Sequence, residues 1–378
     1  MTKRAPKIAL GLVLGAASLA LAVLGVELAL RAAGYDPRAE ALAGRTRLVR
    51  PAKRADLGYE LVPGARGTGW GTEVVVNSLG FRGPEPLDEP GRTRIACLGD
   101  SVTFGNDLAF EDTWPERLER ALAEHGIEVE TLNLALGGYD TVQEVAALED
   151  KGLGLDPAHV VVGFCVNDLG LVSMSMETPF TEADRDDPLF LSRLAQWWRV
   201  RTADRAQRRA LHERNREANY ARAFAAEILP LPEDPLLHIE LQALRSAVTS
   251  APEADQDLAT RRIPPRWFAS EARLGRLEYA FARLARLADE QDFGVTLLLV
   301  PYLEDDAWIA RGYALVRRLA ETHGFTVVDP QAAFRARGLA SLRIRSEDPV
   351  HPCAEGHELL ARALAASLSE RAAHAFDG

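Results

Sequence analysis

From Ile8 to Leu30 the chain is apolar at every position except Ser18 and Glu27, and Lys3, Arg4 and Lys7 stand before it. At a helical rise of about 1.5 Å per residue, this run spans a hydrocarbon core about 30 Å thick. Glu27 lies near one end of it, where a carboxylate reaches the interface. Residues 33–90 lose the pattern and are rich in Gly, Pro and Arg. They read as a stem plus a small irregular or β segment, with a short strand over Glu73–Asn77 followed by turn chemistry in Ser78–Gly83. From Thr93 the pattern alternates between short apolar runs and amphipathic stretches. Strands are predicted at Arg94–Leu98, Glu128–Leu134, His159–Phe164, Val295–Val300 and Phe325–Val328. Helices are predicted at Thr113–His125 (capped by Asp112 or Thr113, with Pro115 in its first turn), Thr141–Lys151, Ala307–Thr322 and Ala354–Glu370. Strands separated by helices imply a parallel sheet covered on both faces: an α/β fold, a three-layer α/β/α sandwich around about five strands. Between about 171 and 290 the alternation stops, and the abundance of Arg, Glu, Ala and Leu predicts a helical insertion. The expected organisation is an N-terminal membrane anchor at 1–32, the stem segment at 33–90, and a catalytic domain at 91–378 carrying the insertion.

Charge and cysteine content narrow the classes. The 378 residues carry a net charge of -11, which argues against a nucleic-acid binder, since phosphate affinity needs a basic face. The basic residues ahead of the apolar run predict an N-terminus in the cytoplasm and the rest of the chain in the periplasm or outside the cell. An uncleaved anchor fits better than a signal peptide, because the run is long for a signal and no small-x-small cleavage site follows it. Cys97, Cys165 and Cys353 form neither a zinc pattern nor a disulfide framework; a Cys165–Cys353 pair is left open.

Four polar stations fall at the ends of predicted elements, in chain order. Gly99-Asp100-Ser101 follows the first strand of the alternating region, Asn133 to Gly138 the second, and Val166-Asn167-Asp168 the third; Asp348-Pro349-Val350-His351 precedes the last helix. In an open parallel sheet the carboxyl ends of the strands share one edge, where ligands bind. A serine hydroxyl on a sharp turn, an imidazole, and a carboxylate three residues before it are the parts of a nucleophile, base and orienter system.

These residues resemble the SGNH hydrolases, the GDSL-type esterase and lipase superfamily, over about 93–170 and 290–370. The resemblance implies a flavodoxin-like sheet and an acyl-ester substrate, with no cofactor and no metal. It implies Ser101 as nucleophile, His351 as general base and Asp348 as its orienting carboxylate. It also implies an oxyanion hole from the backbone N–H of Ser101, that of Gly138 and the side chain of Asn167. Val102 stands where the family pattern has leucine, and Cys165 where it has glycine two places before the asparagine. The anchor, stem and insertion resemble those of membrane-tethered bacterial members, including relatives that transfer acetyl groups on extracellular polysaccharides. Ester hydrolysis, for example of a carbohydrate acetate, is therefore the leading expectation. Acyl transfer to an envelope polysaccharide stays open beside it, as does a non-catalytic glycan-binding module.

Other polar residues are weighed against blander roles. Asp100, Asp168 and Asn133 are expected to brace their own loops. His351, Cys353 and His357 fit no zinc spacing, and His357 is expected to face away along the last helix. Asn77, Phe81 and Arg82 are expected to form a structural turn. Arg193–Glu217 holds eight arginines against three acids beside Trp197 and Trp198; a solvated helix with its aromatic pair packed on the domain is favoured over a lipid-binding one.

Overall fold

The computed structural model describes residues 5–35, 48–54, 56–89, 91–169, 193–202, 228–248 and 267–376. The chain divides into two compact units, Met1–Arg45 with Ser175–Asn219, and Thr46–Met174 with Tyr220–Gly378.

In the first unit the apolar run forms one helix, Ala5–Ala32, and Gly11–Ala32 is long and apolar enough to cross a membrane. Its leucines and valines from Leu12 to Leu28 are exposed among the described residues. Glu27 accepts hydrogen bonds from the backbone N–H groups of Arg193 and Leu194, both at 2.9 Å, and so caps the helix Arg193–Thr202. Arg31, one turn along, pairs with the same carboxylate at 2.7 Å. Trp198 in the short helix is exposed, and the arginine-rich continuation from 203 to 217 lies outside the described residues.

The second unit is built on five parallel strands. Named in chain order with four short strands that precede them, these are β5 (Arg94–Gly99), β6 (Glu130–Asn133), β7 (His159–Phe164), β8 (Gly294–Leu299) and β9 (Thr326–Val328), in the spatial order β6-β5-β7-β8-β9. Successive residues of β5 serve opposite faces. Ala96 and Leu98 join a core with the helices Thr141–Ala147, Glu271–Gln291 and Ala307–Thr322, around Val145, Phe281 and Val316. Ile95 and Cys97 join a second core with Trp114–Glu124 and Ala354–Phe376, around Trp114, Leu118 and Leu360. Both faces of β5 are thus dry, which is why it and its neighbour β7 read as mostly apolar runs. Chain order reverses between β5 and β7, and such a reversal opens a crevice at the carboxyl edge of the sheet.

Of the stretch expected as a helical insertion, Pro235–Val248 and Glu271–Gln291 are described, as is the Arg193–Thr202 helix of the first unit. Glu271–Gln291 is the crossover helix from β7 to β8, packed on the sheet through Leu274, Leu277, Phe281 and Leu284. Residues 170–192, 203–227 and 249–266 lie outside the described residues.

The segment before the sheet forms two antiparallel pairs. Strands β1 (Val49–Pro51) and β2 (Tyr59–Leu61) pair, as do β3 (Arg66–Gly69) and β4 (Thr72–Val75). Arg283 pairs with Asp56 at 3.1 Å and Glu149 at 2.6 Å, and Arg54 pairs with both acids, fastening this segment to the α/β core.

Candidate active site

The site is assembled at the β5/β7 switch. Strand β5 ends at Gly99, and the chain turns at once into a single helical turn, Ser101–Phe104. Asp100 caps that turn, its Oδ1 accepting from Val102 N–H at 2.9 Å. Ser101 therefore opens a helix, and its own N–H has no partner among the described residues.

His351 Nε2 lies 2.8 Å from Ser101 Oγ, and His351 Nδ1 lies 2.9 Å from Asp348 Oδ2. Asp348 is 2% exposed. Its Oδ1 accepts from the N–H groups of Val350 at 3.1 Å and His351 at 3.3 Å, so the short turn that carries both residues also fixes their relation. A carboxylate at Nδ1 holds the imidazole proton there and leaves the Nε2 lone pair toward the serine. Ser101 Oγ also lies 3.2 Å from Asp100 Oδ2, but the hydroxyl has one proton and the shorter contact is the one to His351.

Asn167 follows β7 in a short turn, Val166–Leu169, and its Nδ2 donates to Asp100 Oδ2 at 2.7 Å. One of its two amide N–H bonds is thus engaged and the other is left for a ligand. Gly138 has φ 84°, a conformation glycine adopts without the Cβ penalty, and its N–H has no partner among the described residues. The loop runs beside Ser101: a Cβ added at the preceding Gly137 would lie 3.6 Å from Ser101 Cβ. Ser101, His351 and Asp348 are thus joined by direct hydrogen bonds, Asn167 reaches them through Asp100, and Gly138 lies in the loop alongside.

The braces foreseen for these loops are present. Asn133 Nδ2 donates to Thr103 O at 2.9 Å, and Asp168 Oδ2 accepts from Cys165 N–H at 3.0 Å. Asn77 folds its own turn, accepting from Leu79 and Phe81 N–H. All three cysteines are free thiols, so Cys165 and Cys353 do not pair; burial pushes the Cys97 and Cys165 thiols well up. His357, expected to face away along the last helix, turns to the start of the Trp114–Glu124 helix. It is buried, and its Nδ1 accepts from Trp114 N–H at 3.0 Å, doing the capping that neither Asp112 nor Thr113 performs. Burial lowers its pKa to about 3, so it stays neutral and keeps that lone pair.

Several supports lie outside the motifs. Tyr59 of β2 donates its hydroxyl to Gly137 O at 2.7 Å, and Tyr139 donates to Tyr59 O at 2.6 Å, so the early segment holds the Gly137–Gly138 loop from behind. Arg276 pairs with Asp140 at 3.0 Å at the end of the same loop. Arg82, 1% exposed, donates to the carbonyls of Phe104 (2.5 Å), Gly105 (2.9 Å) and Leu108 (2.8 Å), clamping the loop that leaves the nucleophile helix. Beneath the site Glu144 and Asp168 are buried carboxyls whose pKa values are pushed well up, first by burial and then by neighbouring negative charge, including that of Asp100.

A sequence model of the GDSL-like Lipase/Acylhydrolase family matches residues 97–359, and the chain belongs to that family. Over 75 residues it is 32% identical to an arylesterase of Vibrio mimicus; the match covers 20% of this chain and 38% of that protein. Among solved structures it is similar to an α/β hydrolase enzyme from the metagenome of Lake Arreo, Spain, at 17% identity and TM-score 0.39, covering 73% of this chain and 94% of that one. It is also similar to an acetylxylan esterase from Geobacillus stearothermophilus, at 16% identity and TM-score 0.36, covering 72% and 92%.

Proposed function

We propose that the chain is a serine-dependent ester hydrolase. Family membership supports the reaction class, and the unbroken run from Ser101 Oγ through His351 to Asp348, at 2.8 and 2.9 Å, is the observation that carries it. Ser101 Oγ attacks the acyl carbonyl while His351 Nε2 takes the hydroxyl proton. Asp348 holds the imidazole and stabilises the imidazolium. The carbonyl oxygen becomes an oxyanion received by the N–H groups of Ser101 and Gly138 and the free N–H of Asn167. The tetrahedral intermediate collapses, His351 gives its proton to the leaving alcohol, and an acyl-serine remains. Water, deprotonated by His351, attacks that ester and releases the acid. Transfer would use the same residues with a sugar hydroxyl in place of water, and product analysis in the presence of an acceptor separates the two.

The proposed setting is outside the cytoplasm, tethered by the N-terminal helix with Lys3, Arg4 and Lys7 on the cytoplasmic side. Esterase activity is tested with p-nitrophenyl acetate. Turnover is expected from the full chain, and Ser101→Ala and His351→Ala should each lower it at least about 10³-fold. Turnover that survives Ser101→Ala would refute the assignment.

A further inference from the structure

The hairpin β3–β4 closes through Trp70 and Gly71, since Gly69 pairs with Thr72. Both loop residues have positive φ, 49° and 76°, the geometry of a two-residue turn that favours Asn-Gly, Asp-Gly or Gly-Gly. A tryptophan in the left-handed region is strained, and such strain persists where its surroundings enforce it, often at functional sites. Here the surroundings do enforce it. Asp107 N–H donates to Trp70 O at 2.7 Å, and the indole meets Phe104 edge-on at 4.9 Å. Asp107 is itself left-handed (φ 62°) and pairs with Arg345. The hairpin tip is thereby pinned to the loop that leaves the nucleophile helix.

What the strain holds in place is an indole N–H beside the nucleophile. A Cβ at Gly137 would have as its nearest neighbours Ser101 Cβ at 3.6 Å, Trp70 Nε1 at 3.6 Å and Asn106 Nδ2 at 3.7 Å. The absent side chain thus leaves a recess with the nucleophile on one side and two polar groups on the others. Neither polar group has a partner among the described residues. No acceptor for Trp70 Nε1–H is present among the described residues, and the Asn106 amide makes no side-chain hydrogen bond there, its Oδ1 being buried without a partner. A buried amide left unpaired is costly unless a ligand completes it.

We propose that Trp70 and Asn106 form a hydroxyl-binding subsite for the alcohol portion of the substrate, which is therefore a polyol or carbohydrate ester with a free hydroxyl next to the acylated one. This rests on the esterase reading above. A hydroxyl suits the pair because it accepts from the indole N–H and meets the amide whichever of its ends faces the recess. An apolar alcohol would leave both groups unpaired.

The test compares two acetate esters of one methyl glycoside, one with its neighbouring hydroxyl free and one with it methylated. The full chain should prefer the free hydroxyl by about tenfold in kcat/KM, the scale of one or two neutral hydrogen bonds. Trp70→Phe, which keeps the ring and loses the N–H, should reduce that preference to about threefold or less, and Asn106→Ala likewise. Equal rates on the two glycosides by the unaltered chain would overturn the subsite, as would a preference undiminished in both variants. An unaltered chain that turns over p-nitrophenyl acetate through Ser101 but neither glycoside would also overturn it. Loss of all Ser101-dependent turnover, p-nitrophenyl acetate included, would instead mark failure of the esterase reading beneath it.

Discussion

Replacing Arg82 by Met tests whether the segment before the sheet helps to build the site. Met keeps most of the apolar stem and removes the guanidinium. Two buried carbonyls, those of Phe104 and Leu108, then lose their donor, while Gly105 O keeps the Leu108 N–H at 3.2 Å. A buried polar group left unpaired costs about 1–3 kcal/mol, which sets a gross loss of about 2–6 kcal/mol. Two effects reduce it. The loop can relax toward water, and a charge that is costly to bury disappears; burial already lowers the Arg82 pKa to about 10. A net loss of about 3 kcal/mol remains, or a fall of roughly 1 M or more in the urea midpoint at a slope of about 1–3 kcal/mol per M. Arg82→Lys should recover little, because one ammonium does not reproduce the planar fork. Activity should fall in the same variants, since the clamped loop follows Ser101 directly. The assay is urea unfolding followed by tryptophan fluorescence, with p-nitrophenyl acetate turnover measured well below the transition. A midpoint within about 0.3 M of the unaltered chain, with turnover intact, would refute the clamp.

Three further outcomes are expected. Asn167→Ala should lower kcat by about 10²–10³-fold with little change in KM, because its donor acts on charge that exists only after attack; steady-state kinetics reads this directly. Tyr59→Phe removes one hydrogen bond to Gly137 O and should cost about 1 kcal/mol of stability, with a several-fold fall in kcat, checked by unfolding and kinetics together. His357 is held neutral with its pKa lowered to about 3, while in the unfolded chain it titrates near 6.5. Its contribution is therefore full above pH 6.5 and is lost as pH falls toward 3. At pH 4.5 the loss is about 2–3 kcal/mol, and unfolding at pH 7.5 and 4.5 should find that increment missing in His357→Gln.

Much of the fold is legible in the chain because the central strands β5 and β7 are buried on both faces and so appear as short, mostly apolar runs. His159–Phe164 matches residue for residue, and Ala307–Thr322 shows its helical period plainly. Ser101, Asp348 and His351 stand out because their chemistry is carried in short local motifs. Long-range supports leave no such trace. His357 meets Trp114 across 243 residues and Tyr59 meets Gly137 across 78, and no periodicity links those positions. Glu271–Gln291 is hidden for a different reason: a long stretch of chain separates the helix from β7, so its role as a crossover appears only once β8 is paired. Trp70-Gly71 left no trace in the sequence pattern, because nothing local says that the tryptophan packs beside Gly137.

The central claim is that Ser101 is a nucleophile activated by His351. The most direct measurement is intact-mass and peptide mass spectrometry after treatment with a fluorophosphonate. The account predicts a single adduct on the peptide holding Ser101, absent in Ser101→Ala and formed far more slowly in His351→Ala. A folded protein that takes no label, or takes it on another residue with Ser101 unmodified, would contradict it.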